Sequence, residues 1–129
     1  MRRSAYLLIA LLSLPAAAHA HDYLDAAFES ALIPSKYVLI FDQCVREGYI
    51  EGHPANAEKQ LRVLFNKAKR ASEPQRPPEV TGEEVASAGT QALDTLKAKL
   101  VAEPITLNLE ECEMLKKAWP DYARQFGFK

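Results

Sequence analysis

Cys44 and Cys112 are the residues of this sequence with the most definite chemistry, since they are its only two cysteines. They are 68 positions apart, whereas redox-active pairs usually stand as C-x-x-C. Two thiols in one chain form a disulfide when the protein reaches an oxidising compartment. We therefore predict that, in an exported protein, a structural disulfide joins Cys44 to Cys112.

Export is predicted by the first twenty residues, which have the three parts of a secretory signal peptide. Arg2-Arg3 is the basic start, Ala5 to Leu14 is an apolar run, and Ala18-His19-Ala20 is typical of a cleavage site. A run of ten residues spans about 15 Å as a helix, which is too short to cross a bilayer. We expect cleavage after Ala20, with Ala18 as the alternative, and a periplasmic or secreted product without stable membrane insertion.

Histidine is the other residue type on which catalysis or metal binding would depend. Only His21 and His53 remain after cleavage, and His53 lies between glycine and proline, in a predicted loop. Because so few histidines remain, a Ser-His-Asp or Cys-His catalytic site is not favoured, and we expect no enzyme activity. Glycoside cleavage by two carboxylates stays an open alternative. We expect no cofactor, although His21 at the new N-terminus is a candidate metal ligand through its amine and imidazole.

Two segments are candidate contacts for a partner. The loop around Tyr49 carries an exposed aromatic residue, which suits an interface, unless the loop only covers the end of the protein. The stretch from Arg62 to Arg76 is basic, and is either a solvated helix face or a docking surface for an acidic partner or an anionic envelope polymer. The candidate partner-binding residues are Tyr49, Ile50, His53, Arg62, Lys69 and Arg70.

Apolar residues recur at helical spacing along the mature chain, and no alternating strand pattern competes with them. Paired acids at two helix starts, Glu83-Glu84 and Glu110-Glu111, are interpreted as capping residues. Pro34 is expected to end or kink the first helix, with Ser35 capping the second. The predicted helices are Tyr23 to about Leu32 after an Asp22 cap, Ser35 to Gly48, about Ala55 to Ala71, Thr81 to about Ala102, and Asn108 to Phe126. We expect the last helix to end at Gly127 and to contain a kink or short break at Pro120.

Residues 21–129 are predicted to form one all-α domain, a small bundle of four to five helices stapled by one disulfide. Residues 72–80 contain three prolines and are expected to form an extended Pro-rich crossover of polyproline type inside this domain. The chain has a formal net charge of −1. Losing Arg2 and Arg3 leaves about −3, which does not favour nucleic acid as a partner.

The segments around the two cysteines, Phe41 to Tyr49 and Leu109 to Leu115, together with the signal peptide and the small helical domain, resemble the periplasmic immunity proteins that neutralise type VI secreted peptidoglycan amidases. The resemblance covers the two cysteine helices. It implies a non-catalytic inhibitor that binds a toxin and blocks its active site. A second family with one long-range disulfide in a small periplasmic helical domain is the acid-stress chaperones.

The sequence thus favours an exported, non-enzymatic protein that binds a protein partner in the periplasm, with an immunity or inhibitor protein as one possibility. The alternatives are a carrier of a small ligand or metal and a periplasmic stress chaperone. On the first hypothesis, replacing Tyr49 or reversing the charges of Lys69 and Arg70 weakens binding without lowering the melting temperature.

Overall fold

A computed structural model describes residues 19–51 and 57–127 of the chain. Residues 19–26 are helical, and four longer helices and one 3₁₀ turn follow; this part of the chain contains no strand. The all-α prediction is therefore confirmed. No helix in these two ranges is long and apolar enough to span a membrane. The four helices are α1 (Glu29–Arg46), α2 (Ala57–Ser72), α3 (Gly82–Ala102) and α4 (Leu109–Phe126).

The first helix boundary differs from the prediction. The chain turns at residues 27–28, and α1 then runs through Pro34, so Ser35 lies inside the helix and is not a cap. Pro34 removes one backbone hydrogen bond. The helix persists because its buried positions form one continuous stripe through the proline. That stripe consists of Ala31, Pro34, Ser35, Val38, Phe41 and Cys44.

The core has two parts, which lie one after the other along α1. The larger part joins α1, α2 and the beginning of α3, and includes the stacked rings of Phe28 and Phe65, whose centroids are 5.5 Å apart. The smaller part surrounds the disulfide and contains Phe41, Ile50 and Leu107. Cys44 and Cys112 are fully buried there, with a Cα–Cα distance of 5.7 Å. The predicted bridge is confirmed, and it fastens α1 to α4.

Aromatic rings join the same two helices beyond the disulfide. The rings of Phe41 and Trp119 have centroids 4.3 Å apart, and those of Tyr37 and Tyr122 have centroids 4.7 Å apart. The side of α4 that carries these aromatic residues therefore faces α1. The helix runs through Pro120 without the short break that we allowed for.

The predicted N-caps of α3 and α4 are present, whereas Asp22 and Ser35 lie inside helices and are not caps. The Thr81 hydroxyl accepts a hydrogen bond from the Glu84 amide at 3.1 Å, and the Glu84 carboxylate accepts one from the Thr81 amide, which completes a capping box. Asn108 Oδ1 accepts from the Glu111 amide at 2.8 Å. At the other end of α4, Gly127 adopts the left-handed conformation, with φ of 74°, as a C-cap.

The Pro-rich segment is more compact than the predicted extended linker. Ser72 still belongs to α2, and Glu73–Gln75 forms a 3₁₀ turn. Pro74 fits because its missing N–H falls at the start of that turn, where no partner is needed. Arg76 then holds the turn together, since its guanidinium donates to the Glu73 carboxylate at 2.9 Å and to the Val80 carbonyl at 2.6 Å.

Candidate partner-binding face

The most unusual surface of the protein lies on α2. This helix buries Leu61, Leu64, Phe65 and Ala68 on one side. Its only acidic residue is Glu58, whose carboxylate accepts a hydrogen bond from Lys97 of α3 at 2.8 Å. The opposite side of α2 is therefore basic, with no carboxylate of its own helix left to neutralise it.

Four cations make up this surface, which we call the basic face: Lys59, Arg62, Lys69 and Arg70. Lys59, Arg62 and Arg70 are exposed, and Lys69 is half-buried. Within residues 19–51 and 57–127, none of the four takes part in an ion pair. Lys59 and Arg62 lie three positions apart, so their like charges are neighbours on the helix surface and repel each other. The basic face thus lowers stability slightly, and an acidic partner would relieve this cost.

Two neighbouring residues complete the description of α2. Val63 is 43% exposed and lies one turn after Lys59, so it adds an apolar contact beside the basic face. The amine of Lys67 lies near Gly127, at the C-terminal end of α4, because a Cβ built on that glycine would be 2.5 Å from Lys67 Nζ. The dipole of α4 favours a cation at that place, so Lys67 has a structural role.

A crevice of about 250 Å³ runs between α2 and α3 along the edge of the basic face. On the α2 side it is lined by Arg62, Asn66 and Lys69. On the α3 side it is lined by small or apolar residues, and the rings of Phe28 and Phe65 also contribute. The residues of that second group are Phe28, Phe65, Ala86, Gly89, Thr90 and Leu93.

Gly89 of α3 lines the crevice at a point where the helix backbone packs closely on Phe28. Gly89 is buried, and a Cβ at this position would lie 2.8 Å from Cζ of Phe28. Only glycine lets the helix backbone approach the ring so closely. Sequence reasoning missed the α3 side of this crevice, although a glycine inside an apolar helical pattern is a signal of close packing.

The structure brings together some of the predicted contact residues and separates others. Arg62 and Lys69 line the crevice, and Arg70 lies beside them on the basic face. Arg76, the end of the predicted basic stretch, instead holds the turn after α2. His53 lies outside the described residues. Ile50 is only 7% exposed and packs into the core around the disulfide, so it presents little surface to a partner.

Tyr49 lies at a different place from the basic face. It is half-buried, follows the left-handed turn at Gly48, and packs against the core around the disulfide. Together with residues of α4 it lines a cavity of about 670 Å³, in which carboxylates and amines are mixed. Of the two segments predicted as contacts, the one at Tyr49 therefore lies against α4, whereas the basic stretch of α2 lies beside α3. The charged residues of the cavity are Glu51, Glu113, Lys116 and Lys117.

The candidate metal ligand, His21, pairs with an acidic residue one turn later in the chain. His21 Nε2 lies 3.4 Å from Asp25 Oδ2, and both side chains are exposed. In residues 19–51 and 57–127, no three side chains of His, Cys, Asp or Glu are grouped closely enough to hold a metal ion.

A groove of about 780 Å³ between α1, α2 and the end of α3 was also missed by sequence reasoning. Its apolar wall includes Val101, which is 81% exposed. Two cations at its rim are already neutralised, because Arg46 pairs with Asp42 at 2.9 Å and Lys97 with Glu58. The basic face is therefore the stronger candidate for recognising a charged partner.

No protein-family model, curated protein or solved structure matches this chain.

Proposed function

We propose that this protein is exported to the periplasm and acts without catalysis, by binding a protein partner that presents an acidic surface to the basic face of α2. The observation that carries the proposal is the row of four cations without ion-pair partners, within the described residues, on one side of a single helix. The N-terminal pattern and the buried disulfide support export.

The shape of α2 supports a protein partner. Its 16 residues extend about 24 Å, which is enough for one side of a protein interface. An anionic polymer would be bound by charge alone. The crevice beside Arg62 and Lys69 adds an apolar contact, which protein side chains readily supply.

The resemblance of the two cysteine helices to immunity proteins suggests the first class of partner to test, a secreted peptidoglycan amidase. Such a partner would be inhibited by a protein that covers its active site. The disulfide and the aromatic rings between α1 and α4 would serve to hold α1, on which α2 packs, in a fixed position.

Site-specific photo-crosslinking in the periplasm tests the proposal. A photoreactive residue at Val63, beside the basic face, should capture one dominant protein. A matched probe at Val101, on α3 and more exposed, should not capture it. Reversing the charges of Lys69 and Arg70 should abolish the adduct. An adduct that forms equally at both probe positions, or that survives the charge reversal, would contradict the proposal.

The absence of catalysis is tested separately with the purified, processed protein. Peptidoglycan and its soluble fragments should remain intact after prolonged incubation. A hydrolase activity that disappears when a single carboxylate is replaced by its amide would show that the protein is an enzyme.

A further inference from the structure

We propose that the crevice between α2 and α3 is an anchor site for one aromatic side chain of the partner, bordered by aspartate or glutamate residues. This inference rests on the proposed function and specifies the chemistry that the partner presents there. It assigns a role to the α3 residues of the crevice, which charge alone does not explain.

The apolar part of the site is already formed in the protein. Phe28 and Phe65 are both buried, and their stacked rings lie with Leu93 among the lining residues. Aromatic rings favour further rings in stacked or edge-to-face arrangements. An entering aromatic side chain would therefore gain ring contacts without reorganising the core.

The α3 side of the crevice offers few free hydrogen-bonding groups to a ligand. Ala86 and Gly89 present no polar side chain, and the Thr90 hydroxyl already donates to the Ala86 carbonyl at 3.2 Å. On the α2 side, Arg62, Asn66 and Lys69 all carry hydrogen-bond donors. Among the described residues, no carboxylate lines the crevice. A complementary ligand is apolar on one side and anionic on the other.

The size of the crevice favours a side chain over a free ligand. Its volume of about 250 Å³ lies below the range of about 300–1,000 Å³ that is usual for small-molecule sites. A single large side chain suits this space. The flanking carboxylates would then lie outside it, within reach of Arg62 and Lys69.

The test uses the processed full-length protein labelled with ¹⁵N and the peptide acetyl-Glu-Asp-Phe-Asp-Glu-amide as probe. Titration should shift the amide signals of Asn66, Gly89 and Thr90 in a saturable way. Replacing the phenylalanine of the peptide by alanine should weaken binding about tenfold or more, because the buried apolar area is lost. Replacing its acids by lysine should abolish binding.

A matched pair of variants locates the site without changing any charge. Ala86→Leu places a larger side chain in the crevice and should weaken binding of the phenylalanine peptide at least about tenfold. Ala98→Leu changes an exposed residue of α3 outside the crevice and should bind as the unchanged protein does. Thermal melts of both variants establish that they are folded. The alanine peptide tests the need for an aromatic side chain on the unchanged protein, so that test does not depend on a variant.

Equal binding of the phenylalanine and alanine peptides, or unchanged binding by Ala86→Leu, would overturn the anchor site. Partner capture at Val63 could still occur, because it depends on the basic face. Conversely, peptide binding in the crevice without a charge-dependent adduct at Val63 would contradict the proposed function and leave the anchor site standing.

Discussion

At the scale of single residues, Ser35 distinguishes the observed α1 from the predicted one. Its side chain is fully buried, and its hydroxyl has no hydrogen-bond partner among the residues that the structure describes. An unsatisfied buried hydroxyl costs about 1–3 kcal/mol, whereas loss of a capping serine costs about 1 kcal/mol. Ser35→Ala should therefore stabilise the protein.

Urea unfolding measures this effect. Ser87→Ala, at an exposed position of α3, is the control for the gain in helix propensity. The free energy of unfolding should rise by about 1 kcal/mol more for Ser35→Ala than for the control. A loss of stability on replacing Ser35 would favour the predicted helix start at this residue.

The disulfide is the residue-scale feature with the largest predicted effect on stability. Closing a loop of 68 residues contributes about 4 kcal/mol in the chain-entropy treatment. Cys44→Ser should lower the melting temperature by more than about 10 °C. Mass analysis of the periplasmic product should show a mass lower than that of the reduced form by two hydrogen atoms. Two titratable thiols in that product would contradict the bridge.

At the scale of elements, the capping box of α3 makes a local prediction. Thr81→Ala removes the acceptor of the Glu84 amide and should cost about 1 kcal/mol of unfolding free energy. Thr95→Ala, at an exposed position within the same helix, should change stability by less than about 0.5 kcal/mol. Equal effects of the two changes would mean that the box contributes nothing to folding.

The capping motifs and the core stripes could be predicted from the sequence because each depends on residues within one or two turns. The beginning of α1 could not, because burial of Pro34 and its neighbours in the core outweighs the local preference of proline to end a helix. The crevice also escaped prediction. Its walls come from Phe28, α2 and α3, which are far apart in the sequence, and the close packing of Gly89 on Phe28 joins two of them.

The candidate site shows the same division. The basic character of α2 follows from its composition, and the apolar spacing places most of its cations on the outer side. Long-range packing decides which charged residues of α2 have partners. Lys67 lies near Gly127 of the last helix end, and Glu58 pairs with Lys97 of α3. Burial of Ile50 beside the disulfide likewise depends on α4, which follows some 60 residues later.

At the scale of the whole molecule, the basic face lies on a protein whose total formal charge is −1. Attraction to an acidic partner must therefore come from the local arrangement of α2 and not from net charge. Exposed charges are screened over about 8 Å at physiological ionic strength. Binding should consequently weaken as salt is added.

The carrier hypothesis makes a different prediction for the whole protein. Calorimetric titration of the processed protein with copper, zinc and haem should show no saturable binding below the micromolar range if recognition of a protein partner is the function. Sub-micromolar binding of one of them would favour the carrier, and for copper His21→Ala would show whether the N-terminus is responsible.

The most direct test of the basic face is the affinity for the protein captured at Val63, measured against salt for the processed protein and two matched double variants. Lys69→Glu/Arg70→Glu should bind at least about tenfold more weakly at low salt, with an unchanged melting temperature, and the difference should shrink as salt rises. Lys116→Glu/Lys117→Glu, in the cavity beside Tyr49, should bind as the unchanged protein does. Equal affinity of the Lys69/Arg70 variant and the unchanged protein at every salt concentration would contradict the account.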